Sequence, residues 1–217
     1  GCVKEITIGV VKALAFRISY VGELGWEIYT EMEHGLLMWD TLWEAGRPYG
    51  MLPVGMGVYG TTARLEKGYR AYGMELESEY NPVEAGLARP KVKRDDFIGK
   101  EAYLLAHGAD PAAILCTLTL DDPTSSSGEP RYMLGKEPIL AVDGAPIVDS
   151  HGRRSYVTST GSGPSLGKHI LLGYLPPDVA QQGTQLKVEY LGEYYPVSVA
   201  VAGSTPLFDP TDERMKQ

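Results

Sequence analysis

The chain has 217 residues, 43% hydrophobic and 22% charged, with 28 acidic and 20 basic side chains for a formal net charge of −8. That composition fits a soluble globular protein of one large or two small domains and excludes a disordered tail, a collagen-like chain and a coiled coil. An acidic chain without a basic run is unsuited to sequence-independent nucleic-acid binding, which needs a Lys/Arg field, and no apolar run approaches the ~20 residues of a membrane-crossing helix.

Residues 1–13 alternate apolar and polar side chains (Val3, Ile6, Ile8, Val10) and read as a strand. With no initiator Met and no ordered leader, a chain that opens inside regular structure is expected to be a piece of a longer protein. Residues 16–20 and 26–30 alternate in the same way, joined by the Gly-bounded Val21-Gly-Glu-Leu-Gly25, so together they read as a β-hairpin with Glu23 at its tip. Leu36, Leu37, Trp39, Leu42 and Trp43 recur at helical spacing over residues 33–45, with Gly46 as the stop. A second helix is expected over residues 56–69, with Met56, Tyr59, Ala63 and Leu65 facing inward. Asn81-Pro82 is a breaker, and a third helix runs from an Asp95 or Asp96 cap to Leu105.

After His107 the texture changes. Residues 114–120, 138–142, 146–148, 154–160, 169–175, 185–191 and 195–202 are short strand-like runs separated by Gly, Pro and Asp. Strands at roughly 10-residue spacing predict a small antiparallel barrel or sandwich. A boundary near residues 108–111 divides the chain into an α+β unit, 1–108, and a β unit, 109–217. Residues 122–135, rich in Pro, Ser and Gly, read as a mobile surface loop.

Several motifs fail on their context. Gly55-Met-Gly-Val-Tyr-Gly60 fits G-x-G-x-x-G, but no strand precedes it, and a dinucleotide site needs one. Gly161-Ser-Gly-Pro-Ser-Leu-Gly-Lys168 lacks both the first glycine and the final Ser or Thr of a phosphate loop, and reads as a turn between strands. The four histidines and two cysteines never stand at metal-ligand spacing. Cys2 and Cys116 form no disulfide framework, so a reducing, cytoplasmic setting is expected. Arg64, Glu66 and Arg70 share a helix and read as structural, with Glu66 and Arg70 an i,i+4 pair. Residues 206–210 (Pro-Leu-Phe-Asp-Pro) read as a chain-end clamp.

The segment Ser19-Tyr-Val-Gly-Glu-Leu-Gly-Trp-Glu27 places Tyr20 and Glu27 on the two arms of the hairpin. Glu27 alternates with Trp26 and Ile28 and faces away from them. If both faces are covered, its carboxylate must find donors. A carboxylate accepts two parallel N–H bonds well. A guanidinium from Arg64 or Arg70 would supply them for a structural role, and so would the amino-pyrimidinone edge of a pterin.

The run Arg17-Ile-Ser-Tyr-Val-Gly-Glu-Leu-Gly-Trp-Glu-Ile-Tyr29 resembles the hairpin signature of the glycine-cleavage T-protein family, which includes the folate domains of dimethylglycine and sarcosine dehydrogenases and some folate-dependent demethylases. Further resemblances follow in order: Trp39-Asp-Thr-Leu-Trp-Glu-Ala-Gly46, Arg64-Leu-Glu-Lys-Gly-Tyr-Arg70, Asn81-Pro-Val-Glu-Ala-Gly-Leu87, Asp96-Phe-Ile-Gly-Lys-Glu101, Val157-Thr-Ser159 and Pro206-Leu-Phe-Asp-Pro210. The resemblance implies an α+β, T-protein-like folate-binding fold, here partial: a mixed α/β portion followed by a C-terminal antiparallel β-barrel. It implies that Glu27 binds the pterin ring of tetrahydrofolate and that Tyr20 lines the same cavity. Where many T-proteins carry an Ala-Arg-Asp run, this chain has Tyr59-Gly-Thr61. That departure points to the dehydrogenase-linked and demethylase branches and makes Tyr59 a third site candidate. Residues 129–151 are a second departure, an insertion.

The family's catalytic Asp belongs to an N-terminal region expected to be absent here, and Asp40, Asp95 and Asp96 do not occupy its motif. The resemblance therefore implies the C-terminal portion of a tetrahydrofolate-dependent one-carbon transferase. Its donor is an aminomethyl group, an N-methylglycine-derived imine, a methyl ether or a sulfonium, and its expected partner is a missing N-terminal segment or flavin domain of the same protein. The fragment alone is expected to be inactive. Two alternatives stand beside this: a non-catalytic folate-binding or assembly module, and a structural C-terminal domain of a flavin-dependent N-methylglycine oxidoreductase.

Overall fold

A computed structural model describes residues 1–89 and 91–216. The chain begins with a three-stranded antiparallel sheet of order β1-β2-β3, formed by Val3–Ile8, Val11–Phe16 and Glu27–Tyr29. The alternating stretch expected as one strand is broken in two. Ile8 pairs with Val11 across Gly9-Val10, and Gly9 has φ +60°, the positive value a tight hairpin turn needs at its first central residue. The expected hairpin is also displaced. β3 pairs with β2, not with residues 16–20, in the register Leu14↔Tyr29, Ala15↔Ile28, Phe16↔Glu27. Residues 17–26 are therefore a loop rather than two arms and a tip.

Helix α1, Gly35–Gly46, follows a 3-10 turn at Met32–His34 and continues into another at Arg47–Tyr49. Gly46 lies inside the helix. The stop is Gly50, at φ +74°. The helix expected over residues 56–69 is shorter and of another kind: a π-helix, Val58–Ala63, running into one α-turn, α2, Arg64–Glu66. Leu65 is fully buried, as expected, whereas Met56 is 79% exposed. Helix α3 spans Lys100–His107. Its N-cap is Gly99, at φ +85°, and no Asp side chain caps it.

The remaining strands are β4 (Ile114–Leu120), β5 (Ile139–Leu140), β6 (Val157–Gly163), β7 (Lys168–Leu175), β8 (Gln185–Tyr190) and β9 (Glu193–Ala202). They form one antiparallel sheet of order β5-β8-β9-β4-β7-β6. The sheet curls until its edges meet: Ile139 N–H donates to Ser155, Val157 N–H donates to Glu137, and Pro138 bridges Tyr156. Both faces of β4 and β7 are covered, which is why they read as near-continuous apolar runs. Cys116, Leu118, Leu171 and Leu175 point into the barrel with Val188, Tyr195, Val197 and Val199. Leu115, Ile170, Leu172 and Tyr174 point outward and pack with Leu65 of α2 and Ala85.

The segment expected to be a mobile loop is pinned. Thr124 bridges Pro130, the Ser126 N–H and hydroxyl both donate to Glu193, and Met133 is buried in the barrel. Residues 164–167 form the β6–β7 turn, with Gly163 opposite Lys168 at the strand ends.

The barrel and the elements before it are joined by buried charges. The Arg64 guanidinium, 3% exposed, meets Glu75, 0% exposed, at 3.1 Å and donates to the Ser159 hydroxyl at 2.8 Å. Glu75 also accepts from Thr158 Oγ1 at 2.7 Å. Arg153 donates to Glu84 and Asp149 and lies over the Tyr80 ring, 4.3 Å from its centroid. Burial of charge on this scale is tolerable only when each group is paired and hydrogen-bonded.

Candidate functional site

The site is assembled from the loop 17–26, strand β3 and the π-helix. The loop is shaped by its own backbone. The Ser19 hydroxyl accepts from the N–H of Val21 and of Glu23, at 3.3 and 3.1 Å, and Gly22 turns with φ +76°. The Arg17 guanidinium closes its base by donating to the Gly25 carbonyl at 3.0 Å while lying over the Trp26 ring. Tyr20 is anchored by its hydroxyl, which donates to the Arg70 carbonyl at 2.7 Å. Its ring lies 5.4 Å from that of Tyr59 and 5.9 Å from that of Tyr69, nearly parallel to the latter.

Glu27 heads β3 and is half-buried, not buried as covered faces would require. Neither arginine meets it. Arg64 is committed to Glu75, Ser159 and the carbonyls of Gly60 and Tyr69. Arg70 donates to the carbonyls of Ala85, Gly68 and Gly203. The expected Glu66–Arg70 pair is not made either, because Glu66 accepts from the Ser165 N–H. Glu27 instead takes phenols: the Tyr29 hydroxyl donates to Oε2 at 2.7 Å, and the Tyr59 hydroxyl stands 3.5 Å from Oε1.

All three residues singled out in the sequence, Tyr20, Glu27 and Tyr59, thus come together. Tyr29 and Tyr69 join them unforeseen. A signal for Tyr29 was available, since residues two apart on a strand share a face. Tyr69 is displayed by the turn after α2, which periodicity does not describe.

The phenols feel their surroundings. Burial pushes the Tyr20 and Tyr59 hydroxyls above their ordinary range, with the Glu27 charge adding to the shift at Tyr59. The hydrogen bond to Glu27 does the same for Tyr29. All three stay neutral donors near neutral pH. A carboxylate oxygen has two lone pairs, and one phenol on each oxygen leaves one free on each. The free pair is what a planar N–H/NH₂ fork requires, and the Tyr20 and Tyr59 rings stand beside it as an aromatic wall. Among the described residues, no group of three or more His, Cys, Asp or Glu could hold a metal ion.

A six-stranded curled barrel stands behind a tyrosine-bracketed carboxylate, and comparison with known proteins gives the family of this fold. Residues 1–94 match the GCVT N-terminal domain, and residues 115–209 match the glycine cleavage T-protein C-terminal barrel domain. The chain belongs to the glycine-cleavage T-protein family.

It is 32% identical to human mitochondrial dimethylglycine dehydrogenase over 99% of its own length and 23% of that protein. It is 34% identical to an aminomethyltransferase of Desulfitobacterium hafniense over 84% of its length and 46% of that protein. The fold matches that of the glycine cleavage system aminomethyltransferase T from Bartonella henselae with a TM-score of 0.72, at 23% identity, over 91% of this chain and 50% of that one. The chain therefore spans half or less of the length of these relatives.

Proposed function

We propose that the chain is part of a tetrahydrofolate-dependent one-carbon transferase, with Glu27 holding the pterin by its amino-amide edge and Tyr20 and Tyr59 walling the ring. The observation that carries the reading is the Glu27 carboxylate, free of any guanidinium among the described residues, with a phenol on each oxygen. Its remaining lone pairs fit a fork donor. The contribution of these residues is positioning: they fix the ring in one orientation so that its nitrogen nucleophile meets the donor carbon without a search. Tetrahydrofolate itself supplies the acceptor nitrogens. The acid–base group that assists transfer, and the pocket that selects an aminomethyl, N-methylglycine-derived, methyl ether or sulfonium donor, are assigned to a further segment of the protein.

Apolar exposure supports such a segment. Helix α1 has no buried residue, and Leu36 is 73% exposed beside a half-exposed Trp39. Tyr49, Leu52, Val54 and Met56 follow, each at least 68% exposed. Surface of this kind ordinarily marks an interface, and the chain covers half or less of each relative. The missing cover is a folate subdomain, alone or with a flavin domain. On this reading the present segment by itself is inactive. It divides at residues 108–109 into a folate-binding unit and the barrel. The two cysteines, both free, fit a reducing cytoplasmic compartment, and no described helix is long and apolar enough to cross a membrane.

Calorimetric titration of tetrahydrofolate into the full-length gene product and its Glu27→Ala variant tests the assignment. Loss of about 1.5–3 kcal/mol, the range for a hydrogen bond to a charged group, is the expected result. Binding by neither protein would overturn the folate reading and favour an assembly or structural module.

A further inference from the structure

The loop that carries Tyr20 is gripped from behind by the segment 206–216, and the grip runs through a buried lysine outside the site. Lys67, 1% exposed, follows α2. Its aliphatic stem lies against Gly22 so closely that a Cβ on Gly22 would run into it. Its ammonium donates to the carbonyls of Phe208 and Asp209, at 3.3 and 2.6 Å, and to Asp212 Oδ1 at 2.7 Å. The Phe208 N–H donates to the Glu66 carbonyl. One residue thus supports the loop with its stem and holds the terminal segment with its head.

The terminal segment then returns to the loop and the aromatic wall. Arg17, at the base of the loop, donates to the Met215 carbonyl. Arg214 pairs with Glu23 in the loop at 2.9 Å. The Tyr69 hydroxyl contacts Met215 Sδ at 3.6 Å, and Tyr69 is the ring stacked on Tyr20. The loop has few bonds of its own, and its Arg17, Gly22, Glu23 and Tyr20 are each held by Lys67, the terminal segment or Tyr69.

Resting on the folate reading above, we infer that residues 206–216 are a latch that sets the loop 17–26 in its pterin-binding shape, and that Lys67 is a positioning residue for Tyr20. The latch has no hydrogen bond to Glu27 or Tyr59, so its effect on binding passes through the loop and through Tyr69, which stacks on Tyr20. Lys67→Met keeps the stem under Gly22 and removes the ammonium. Asp212→Gly breaks the same contact from an outer position, 38% exposed, and glycine suits the left-handed backbone there (φ +57°), so a folding defect is not expected.

The test uses both variants in the full-length protein with two readouts: the Kd for tetrahydrofolate, and the rate of tryptic cleavage after Arg17, whose guanidinium the latch and the loop base occupy. Both variants are expected to weaken tetrahydrofolate about tenfold, the lower end for a charged hydrogen bond, and to speed cleavage after Arg17 while the thermal midpoint of the barrel stays put. Saturating tetrahydrofolate should slow the cleavage again, which general destabilisation would not produce. Unchanged Kd and unchanged cleavage would overturn the latch. If the unmutated protein binds no tetrahydrofolate, the folate reading falls, and cleavage after Arg17 alone decides whether the latch holds the loop.

Discussion

Tyr29 and Tyr59 bracket the Glu27 carboxylate, one hydroxyl at 2.7 Å from Oε2 and the other 3.5 Å from Oε1. They arrive from different elements, a strand and a π-helix, so the carboxylate is oriented only when both are in place. The two contacts are unequal. A 2.7 Å O–H···O bond to an ionised acceptor is a strong one, and a 3.5 Å separation lies at the limit of any hydrogen bond.

The inequality makes a prediction. Tyr29→Phe should weaken tetrahydrofolate binding, since it releases the better-held oxygen. Tyr59→Phe should cost less, and Tyr59→Ala more than Tyr59→Phe, because the ring and not the hydroxyl is its main contribution. The phenol titration provides an independent reading. The Tyr29 hydroxyl is held above its ordinary value of 10.0 chiefly by its bond to Glu27. A raised pKa means that the phenol remains a donor below it and that the bond is lost as pH rises through the raised value. In Glu27→Gln, ultraviolet titration should show Tyr29, and to a smaller part Tyr59, moving back toward 10.0. If no tyrosine moves, the pair does not exist in solution.

The buried pair Arg64–Glu75 predicts a different outcome for stability. Arg64 also donates to the Gly60 carbonyl in the π-helix and to Ser159 in β6, so it ties the element that carries Tyr59 to the barrel. Removing one partner of a buried pair leaves an uncompensated charge, at about 3–5 kcal/mol. Glu75→Ala should lower the unfolding free energy by that amount, measured by chemical unfolding. Arg64→Met, which leaves Glu75 with Thr158 and the Ala71 N–H as donors, should be the milder change. Equal and small effects would mean that the network is solvated in solution.

The sequence was most readable where side-chain periodicity and two-sided burial act together. β4 and β7 lie where apolar runs put them, because both faces are covered, and β8 and β9 lie where alternation puts them, because one face is buried. The ordered motifs around Glu27 carried the family. The pairing of β2 with β3 was not legible. Alternation over 16–20 matched that of a strand, but Ser19 and Gly22 turn the backbone first by local hydrogen bonds. Nor was the π-helix, since an apolar residue every three or four positions serves an α-helix equally well. What α1 packs against was not legible: Leu36, Leu37 and Trp39 are exposed and Leu42 and Trp43 half-buried, and spacing does not say what a face will meet. Lys67 and Asp212 stand 145 positions apart, and nothing local to either one predicts the other.

Gly161 separates the barrel's effect on stability from its effect on the site. A Cβ there would run into the backbone carbonyl of Thr61, inside the π-helix, and would come within 2.8 Å of Leu65 Cδ1. The backbone cannot rotate away as a side chain can, so Gly161→Ala must push the π-helix and, with it, Tyr59. Overpacking of this sort costs about 1–3 kcal/mol. Two residues further along the same strand, a Cβ at Gly163 would meet mainly the Ile170 side chain, 2.5 Å from its Cδ1. Ile170 belongs to the sheet and its side chain can give way by rotating, so Gly163→Ala makes a matched control. Both variants should lower the thermal midpoint. Only Gly161→Ala should also weaken tetrahydrofolate, with the loss absent when Tyr59→Ala is the background. Parallel losses of affinity in the two variants would mean that the barrel acts on the site through general stability and not through the position of Tyr59.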